Sequence, residues 1–266
     1  MRELRDDAST ALVRALGVPS LEPATVPFDP GYDPRTVESH LEQSSHLMAM
    51  LKLSMASWII ADDAATRAKV DAAHRHRVPV LTGGGPFEIA AAQRLLPEYL
   101  DLCAEVGVDC VEAGEGFTDL PVDADEAVRM AVDRGLALQF ELGKKHGGAF
   151  DGDTVAAFVD QGRRWLDAGA CRLVVEARES ANDVGLFGAD GVFDGVLADR
   201  LADALGPAKL VFEAPTKASQ FALLDHFGPS VILGNVRLEE LLRVEIYRRG
   251  LHADAFGSPR LAPVLV

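Results

Sequence analysis

Residues 173–180 read LVVEARES, an apolar run that ends in charge. Its first three residues are typical of a strand that is covered on both faces, as strands of a parallel sheet are. Glu176, Arg178 and Glu179 follow at once, although a charged side chain is costly to bury without a partner. The stretch therefore predicts a core strand whose carboxyl end opens into a polar site.

The composition of the chain limits its class. Its 266 residues are 48% hydrophobic and 25% charged, which fits one large globular domain or two small ones. The net charge of −15 excludes the basic stripe that nucleic acids require. The sequence has no apolar run of membrane-spanning length and its N-terminus has no signal-peptide core, so we expect neither a membrane anchor nor export.

The cysteines support an intracellular location. Cys103, Cys110 and Cys171 show no paired spacing. We expect all three to be reduced and buried, and the protein to be cytoplasmic.

Short apolar runs alternate with helical patterns through most of the chain, which predicts parallel strands joined by right-handed crossovers. Eight such units in about 240 residues match the size of a (β/α)8 TIM barrel, whereas a doubly wound open sheet usually carries a glycine-rich turn that residues 28–35 lack. The candidate strands are residues 25–29, 47–54, 79–84, 110–116, 136–145, 171–179, 208–215 and 230–236.

The predicted organisation is a short N-terminal helical extension, residues 1–20, followed by a catalytic barrel domain, residues 21–266. The extension is an amphipathic pattern that ends at Gly17. Pro97 lies inside the third helical stretch and is expected to kink it or to divide it in two.

The ends of the candidate strands are polar at almost every position. In such barrels the active site is built at the carboxyl ends of the strands. Four successive strands end in a carboxylate, which is more than exposure to water explains. The residues at the strand ends are Asp29, Lys52, Thr82, Glu112, Glu141 with Lys145, Glu176 with Arg178, Glu213 with Lys217, and Asn235.

Strand alternation pairs each of the later acids with a cation. Residues two or four positions apart share one face of a strand, so Lys145 lies on the side of Glu141 and Arg178 on the side of Glu176. Lys217 joins Glu213 only if the strand continues that far.

This mixture of charges indicates metal-assisted enolate chemistry. Clustered carboxylate oxygens suit a hard divalent cation, Mg²⁺ before Zn²⁺. Lysine and arginine beside them suit an anionic substrate, and a lysine among cations can have a lowered pKa and transfer a proton. The loops after the last two strands, with Lys217 and Gly234, could hold a phosphate.

Several motifs together resemble the phosphosulfolactate synthase family, and the similarity runs from about residue 47 to 257. We interpret the chain as a divergent bacterial member, since its Ala-, Asp- and Arg-rich composition is typical of a high-GC bacterium. The motifs are GGGPFE (83–88), VEAGEG (111–116), ELGKK (141–145), EARES (176–180), FEAPTKASQ (212–220), LGNV (233–236) and RRGLHADAFG (248–257).

The resemblance implies a lyase that adds sulfite to phosphoenolpyruvate with Mg²⁺, a step that belongs to coenzyme M biosynthesis in methanogens. We expect sulfite to attack C2 while Lys145, the second lysine of GKK, protonates C3. The expected catalytic residues are Lys145, Lys144 and Arg178. The expected substrate-binding residues are Lys52, Lys217, Gly234, Asn235 and Glu115. The expected metal ligands or their supports are Glu112, Glu141, Glu176 and Glu213.

The chain also departs from the pattern of that family. Pro30 replaces a lysine, Gly85 replaces a threonine, and Gly114 and Glu115 replace a Ser-Asp pair. These changes remove a cation and two hydroxyls around a site for two anions. They leave open a diverged barrel enzyme that uses the same metal-enolate chemistry on another anionic substrate or nucleophile, and a non-catalytic binding protein is a third reading. A homo-oligomer is possible, and the sequence specifies no interface.

Overall fold

The protein, described by a computed structural model over residues 8–256, 258, 260 and 261, is a closed barrel of parallel strands in chain order. Each strand pairs with the next, and β8 pairs with β1. The predicted (β/α)8 barrel is confirmed. The strands are β1 Thr25–Asp29, β2 Leu51–Leu53, β3 Val80–Thr82, β4 Cys110–Gly114, β5 Ala137–Leu142, β6 Arg172–Val175, β7 Leu210–Glu213 and β8 Ile232–Arg237.

Helices connect successive strands, one further helix precedes β1, and another follows β8. Pro97 divides the third helical stretch as expected, because α5 ends at Ala92 and α6 carries Pro97 in its first turn. The helices are α1 Ala8–Ala15, α2 Pro34–Ser44, α3 Ser57–Ile60, α4 Asp63–Arg75, α5 Gly84–Ala92, α6 Leu96–Val106, α7 Ala124–Val132, α8 Gly152–Ala168, α9 Gly195–Leu205, α10 Lys217–Phe227 and α11 Leu241–Arg248.

Apolar side chains fill both faces of the barrel wall. The larger hydrophobic cluster includes Phe140, which stacks on Trp165 of α8 with ring centroids 4.1 Å apart. Val26, Leu81 and Cys110 form a second, smaller cluster. Cys110 shares the strand face of Glu112, so this cluster fills the barrel interior below the charged strand ends.

Strands β2 to β7 stop earlier than the sequence predicted, whereas β1 ends at the predicted residue and β8 one residue later. β5 ends at Leu142 because Gly143 adopts φ +143°, and beyond β6 the chain turns at Arg178, where φ is +54°. Strand alternation therefore ends at the acids. Lys145 and Arg178 lie in loops, and the loops rather than the strands place their side chains.

The N-terminal region is helical over α1, which buries none of its residues, and Gly17 follows it with φ +72°. Residues 1–7 of the predicted extension lie outside the described residues, so the boundary at residue 20 stays a prediction. Among the described helices, none has the length and apolar character needed to cross a membrane. Cys103 and Cys110 are buried and free, but the expectation of burial is wrong for Cys171, which is exposed.

A buried arginine joins the first and last elements of the barrel. Arg248 of α11 is 1% exposed, and its Nε lies 3.0 Å from Oε1 of Glu245. Its Nη1 donates to the carbonyls of Pro229 (2.6 Å) and Val231 (2.8 Å), while Nη2 donates to Thr25 Oγ1 at the start of β1 (3.0 Å). The guanidinium thus connects β1, α11 and the turn before β8, where the barrel closes.

We expect Arg248→Met to lower the free energy of unfolding by about 3–5 kcal/mol, because the change removes a buried ion-pair partner of Glu245, which keeps Arg249, and leaves the carbonyls of Pro229 and Val231 without their donor. Denaturant titration followed by circular dichroism measures the effect. Arg67→Met is the matched control: Arg67 also bonds a carboxylate and a carbonyl, but on the surface, so its loss costs less than about 1 kcal/mol. If Arg248→Met loses no more unfolding free energy than Arg67→Met, Arg248 does not stabilise the closure of the barrel as we expect.

Candidate active site

Four buried glutamates lie at the carboxyl end of the barrel. Glu112 belongs to β4, Glu141 to β5 and Glu213 to β7, while Glu176 directly follows β6. Each of the four residues is at most 3% exposed. Acids that are distant in sequence therefore meet at one depth because adjacent parallel strands end there.

Three of these acids form a group that could hold a metal ion. One carboxylate oxygen from each of Glu141, Glu176 and Glu213 lies within 4.8 Å of the others. Glu112 has a different environment: its carboxylate accepts from Lys52 Nζ (2.8 Å), from the Gly84 N–H (3.0 Å) and from Gln139 Nε2 (2.8 Å).

The donor set fits a hard cation. Carboxylate oxygens are the ligands that Mg²⁺ and Ca²⁺ prefer, and the described residues bring no histidine or cysteine into this group. The three carboxylates repel one another inside the barrel, and a divalent ion offsets that repulsion more fully than one lysine does.

Two lysines lie among the acids. Lys145 Nζ is 2.8 Å from Oε1 of Glu141 and also contacts Glu176. Lys52 Nζ, paired with Glu112, is 3.9 Å from Glu213. The two ammonium groups therefore connect all four acids into one charged network.

Crowding and burial separate the pKa values of the three clustered acids. Burial, together with the charge of Glu176, raises the pKa of Glu141 to about 8. The same two causes raise the pKa of Glu213 well above its usual value. Burial opposes ionisation of Glu176 as well, but the charge of Lys145 and hydrogen bonds lower its pKa to about 2. Glu176 is therefore the acid of the group that holds its charge most strongly.

The lysines titrate in the opposite direction from the one expected. Burial alone lowers the pKa of Lys145, but the charges of Glu141 and Glu176 outweigh it and raise that pKa. The pKa of Lys52 is raised in the same way, because the charges of Glu112 and Glu213 outweigh the effect of burial. The expectation of a lowered lysine pKa is wrong because the neighbours are carboxylates rather than cations. Both lysines are therefore ammonium ions at neutral pH.

Backbone groups of two loops fix the cluster. The N–H of Arg178 lies 2.5 Å from Oε1 of Glu176 and 3.1 Å from Oε2 of Glu213, and the N–H of Ala177 lies 2.9 Å from the same Glu213 oxygen. The N–H of Lys145 donates to the carbonyl of Gly116 at 2.7 Å. The positive φ of Arg178 turns its amide toward the acids, as strained residues at functional sites often do.

The cluster forms the floor of a cavity of about 900 Å³ at the barrel mouth. Arg178 lines it and donates from Nη1 to the carbonyl of Lys145 at 2.9 Å. Asn235 lines it too, and its amide donates to the carbonyl of Arg178 at 3.1 Å. Together with Lys52 and Lys145, these groups offer an anion several donors around the acids.

Four residues predicted for the site lie outside the lining of this cavity. Lys144 is exposed, 3.4 Å from Asp119. Lys217 begins α10 and pairs with Asp254 at 2.9 Å, since β7 ends at Glu213 and strand alternation does not reach it. Glu115 accepts from Gln161 at 2.7 Å, and Gly234 packs against Val211. Their predicted roles stay predictions.

Of the four positions that depart from the family pattern, some line the cavity and others lie outside it. Pro30 and Gly85 line the cavity, whereas Gly114 and Glu115 do not. Sequence reasoning missed Arg237, which also lines the cavity and lies over the ring of Phe28 at 5.7 Å. Its signal was available, because Arg237 shares a strand face with Asn235 in β8.

A closed barrel with a charged mouth defines the class as a TIM-barrel enzyme, and its relatives make the type a lyase. A sequence profile of the (2R)-phospho-3-sulfolactate synthase (ComA) family matches residues 19–254. The chain is 31% identical over 235 residues to the phosphosulfolactate synthase of Methanocaldococcus jannaschii, covering 88% of this chain and 94% of that one. It is 29% identical over 249 residues to that of Methanothermobacter thermautotrophicus, covering 92% and 95%. The chain belongs to the phosphosulfolactate synthase family, as its motifs predicted.

Solved structures agree on the fold. The YdjI aldolase of Escherichia coli K12 superimposes with a TM-score of 0.53 at 16% identity, covering 90% of this chain and 93% of that one. The deoxyribose phosphate aldolase of Aeropyrum pernix gives 0.54 at 15% identity, covering 85% and 89%. At such identities the likeness shows the barrel and carries no statement about substrate.

We expect Glu213→Gln to weaken Mg²⁺ binding about tenfold or more, because it removes one of three clustered carboxylate charges. The amide oxygen can still accept from Ala177 and Arg178, so the loop keeps its hydrogen bonds. Isothermal titration calorimetry measures the affinity. Glu179→Gln is the control, since Glu179 lines the same cavity without belonging to the metal group. Equal losses in both variants, or none in either, contradict the assignment.

Proposed function

We propose that this enzyme catalyses the Mg²⁺-dependent addition of sulfite to phosphoenolpyruvate, giving (2R)-phospho-3-sulfolactate. The observation that carries the proposal is the convergence of Glu141, Glu176, Glu213 and Lys145 at one cavity floor. The family supports a small anionic substrate. The proposal goes further than the family in naming Mg²⁺ as the metal and sulfite and phosphoenolpyruvate as the substrates.

Glu141, Glu176 and Glu213 would hold the metal. When bound, Mg²⁺ supplies Lewis-acid stabilisation of the negative charge that develops on the substrate carboxylate. Lys52 and Lys145 then have two tasks: their charges favour the ionised form of the acids and attract the anionic substrates. Arg178 and Arg237, nearer the cavity mouth, add guanidinium donors for phosphate or sulfite oxygens.

The expected attack at C2 is wrong for this product, because a 2-phospho-3-sulfolactate carries its sulfonate on C3. Addition at C2 also leaves a carbanion at C3 that is not conjugated with the carboxylate. In the balanced step, the sulfur lone pair forms the C3–S bond. The C2–C3 π electrons move onto C2 and the carboxylate as an enediolate, and C2 then takes one proton.

Lys145 is the proposed proton donor to C2. Its raised pKa keeps it protonated, and its ammonium group is held by Glu141 and Glu176, which are also two of the proposed metal ligands. Protonation from one side sets the configuration at C2. Lys145 then recovers its proton from solvent, since its side chain is 29% exposed.

We expect purified protein to form a sulfonate from sulfite and phosphoenolpyruvate, and to lose this activity when EDTA removes the metal. We expect Lys145→Met to lower kcat by about 10²–10⁴, the contribution of a positioned general acid. ³¹P NMR of the reaction mixture measures both. No product from the wild-type enzyme with saturating Mg²⁺ contradicts the proposal.

Two other lysines make the test specific. Lys209→Met is the control, because Lys209 lies in the short helical turn before β7, outside the cavity lining. Lys144→Met decides between the two lysines of the GKK motif. Since Lys144 points to Asp119 on the surface, we expect its loss to be far smaller than that of Lys145. The reverse order would transfer the acid role to Lys144.

A further inference from the structure

One side of the cavity mouth is apolar. The acids and most of the polar lining groups belong to the later strands and their loops, from β4 to β8. The end of β1, the loops after β1, β2 and β4, and the first turns of α5 contribute mainly hydrocarbon. We call this surface the apolar wall, and it consists of Phe28, Pro30, Met55, Ala56, Pro86, Ile89 and Phe117.

Large side chains of the apolar wall are exposed. Met55 is 61% exposed, Ile89 56% and Phe117 51%. Single exposed apolar residues are ordinary on protein surfaces, but several that line one concave site mark a place where an apolar group binds.

Local structure holds two of these side chains in place. Met55 adopts φ +50°, which is an unfavourable conformation for a residue with a side chain, so its position over the mouth costs backbone energy. Phe117 is held through its backbone. Its N–H and that of Thr118 donate to Oε2 of the fully buried Glu88, at 3.1 and 3.2 Å. The wall is therefore preorganised rather than a loose surface.

The apolar wall is continuous with the charged floor. A Cβ on Gly83 would lie 3.1 Å from the backbone nitrogen of Met55 and 3.6 Å from Cε of Lys52. The next residue, Gly84, donates to Glu112 at 3.0 Å. A molecule whose anionic end reaches Lys52 and the metal group can thus extend along the wall without leaving the cavity.

Phosphoenolpyruvate and sulfite make no use of such a wall. Both are small, and apart from the single methylene carbon of phosphoenolpyruvate their surfaces are polar, so they would leave most of the wall covered by water. The cavity of about 900 Å³ lies toward the upper end of the roughly 300–1,000 Å³ that is typical for ligand pockets. The site is therefore both larger and more apolar than those two anions require.

We infer that the acceptor site of this enzyme extends beyond phosphoenolpyruvate and also takes anionic enol compounds that carry an apolar substituent, aromatic or branched, which packs on the apolar wall. This inference rests on the proposed function, because it keeps the metal, the nucleophilic addition and the role of Lys145. It widens the substrate class: the carboxylate and its neighbouring anionic group bind at the floor, as those of phosphoenolpyruvate would, and an apolar substituent adds contacts with the wall.

Two unreactive ligands test the inference. The phosphate esters of lactate and of 3-phenyllactate carry the same anionic groups and differ only in the phenyl ring. With Mg²⁺ present, we expect the phenyllactate ester to bind about tenfold or more tightly, since even one methylene in an apolar pocket is worth about tenfold. Isothermal titration calorimetry gives both affinities.

Variants of the apolar wall connect the preference to its residues. We expect Phe117→Ser and Ile89→Ser each to reduce the ratio of the two affinities about three- to tenfold. Ile60→Ser is the matched control, because Ile60 is 84% exposed and lies at the end of α3, outside the cavity lining. Circular dichroism checks that each variant is folded, and the two wall variants lie on different elements, so one remains informative if the other misfolds.

The outcomes separate this inference from the proposed function. Equal binding of both esters with Mg²⁺ overturns the apolar subsite and leaves the proposed function standing. If neither ester binds with Mg²⁺, the inference fails, while sulfonate formation from sulfite and phosphoenolpyruvate decides the proposed function separately. A change of oligomeric state in Phe117→Ser and Ile89→Ser, measured by light scattering, with no change in the affinity ratio shows that the wall contacts a second copy, and this also overturns the inference.

Discussion

Buried negative charge is the constraint on which this site depends. Four carboxylates at the floor of a barrel remain ionised only if positive charge lies among them, because burial and mutual repulsion both favour protonation. Lys52 and Lys145 supply part of that charge from within the chain. The raised pKa of Glu141 shows that the lysines do not compensate all of it. The remaining demand for positive charge is what would favour the binding of a divalent cation by the cluster.

Strands and loops contribute differently to the stabilisation of these buried charges. The strands set the depth of the acids, while the loops bring in the groups that bind them. The loop after β6 directs two amide N–H groups at Glu213, and the loop after β5 returns Lys145 to Glu141. Because each loop also contacts its neighbour, as Arg178 contacts the carbonyl of Lys145, the site is positioned as one unit.

Much of the fold could be predicted because buried parallel strands leave a strong pattern. The eight apolar runs, the division at Pro97 and the acids at the strand ends follow from local sequence. Lys217 could not be placed that way, because alternation holds only while a strand continues and β7 ends at Glu213. The rise in the pKa of Lys145 was only partly within reach of the sequence, since it depends on Glu141, four residues away, and also on Glu176, which is distant along the chain. The apolar wall was missed for the same reason: its residues come from several loops.

The central claim is that Glu141, Glu176 and Glu213 together bind a divalent cation at the cavity floor. The most direct measurement is anomalous X-ray diffraction from crystals of the protein soaked in Mn²⁺, which substitutes for Mg²⁺ and can be located by its own scattering. The account predicts one strong peak within coordination distance of all three carboxylates, with Lys145 displaced from at least one of them. A fully soaked crystal with no peak there, or with its strongest peak on another surface, would contradict the account.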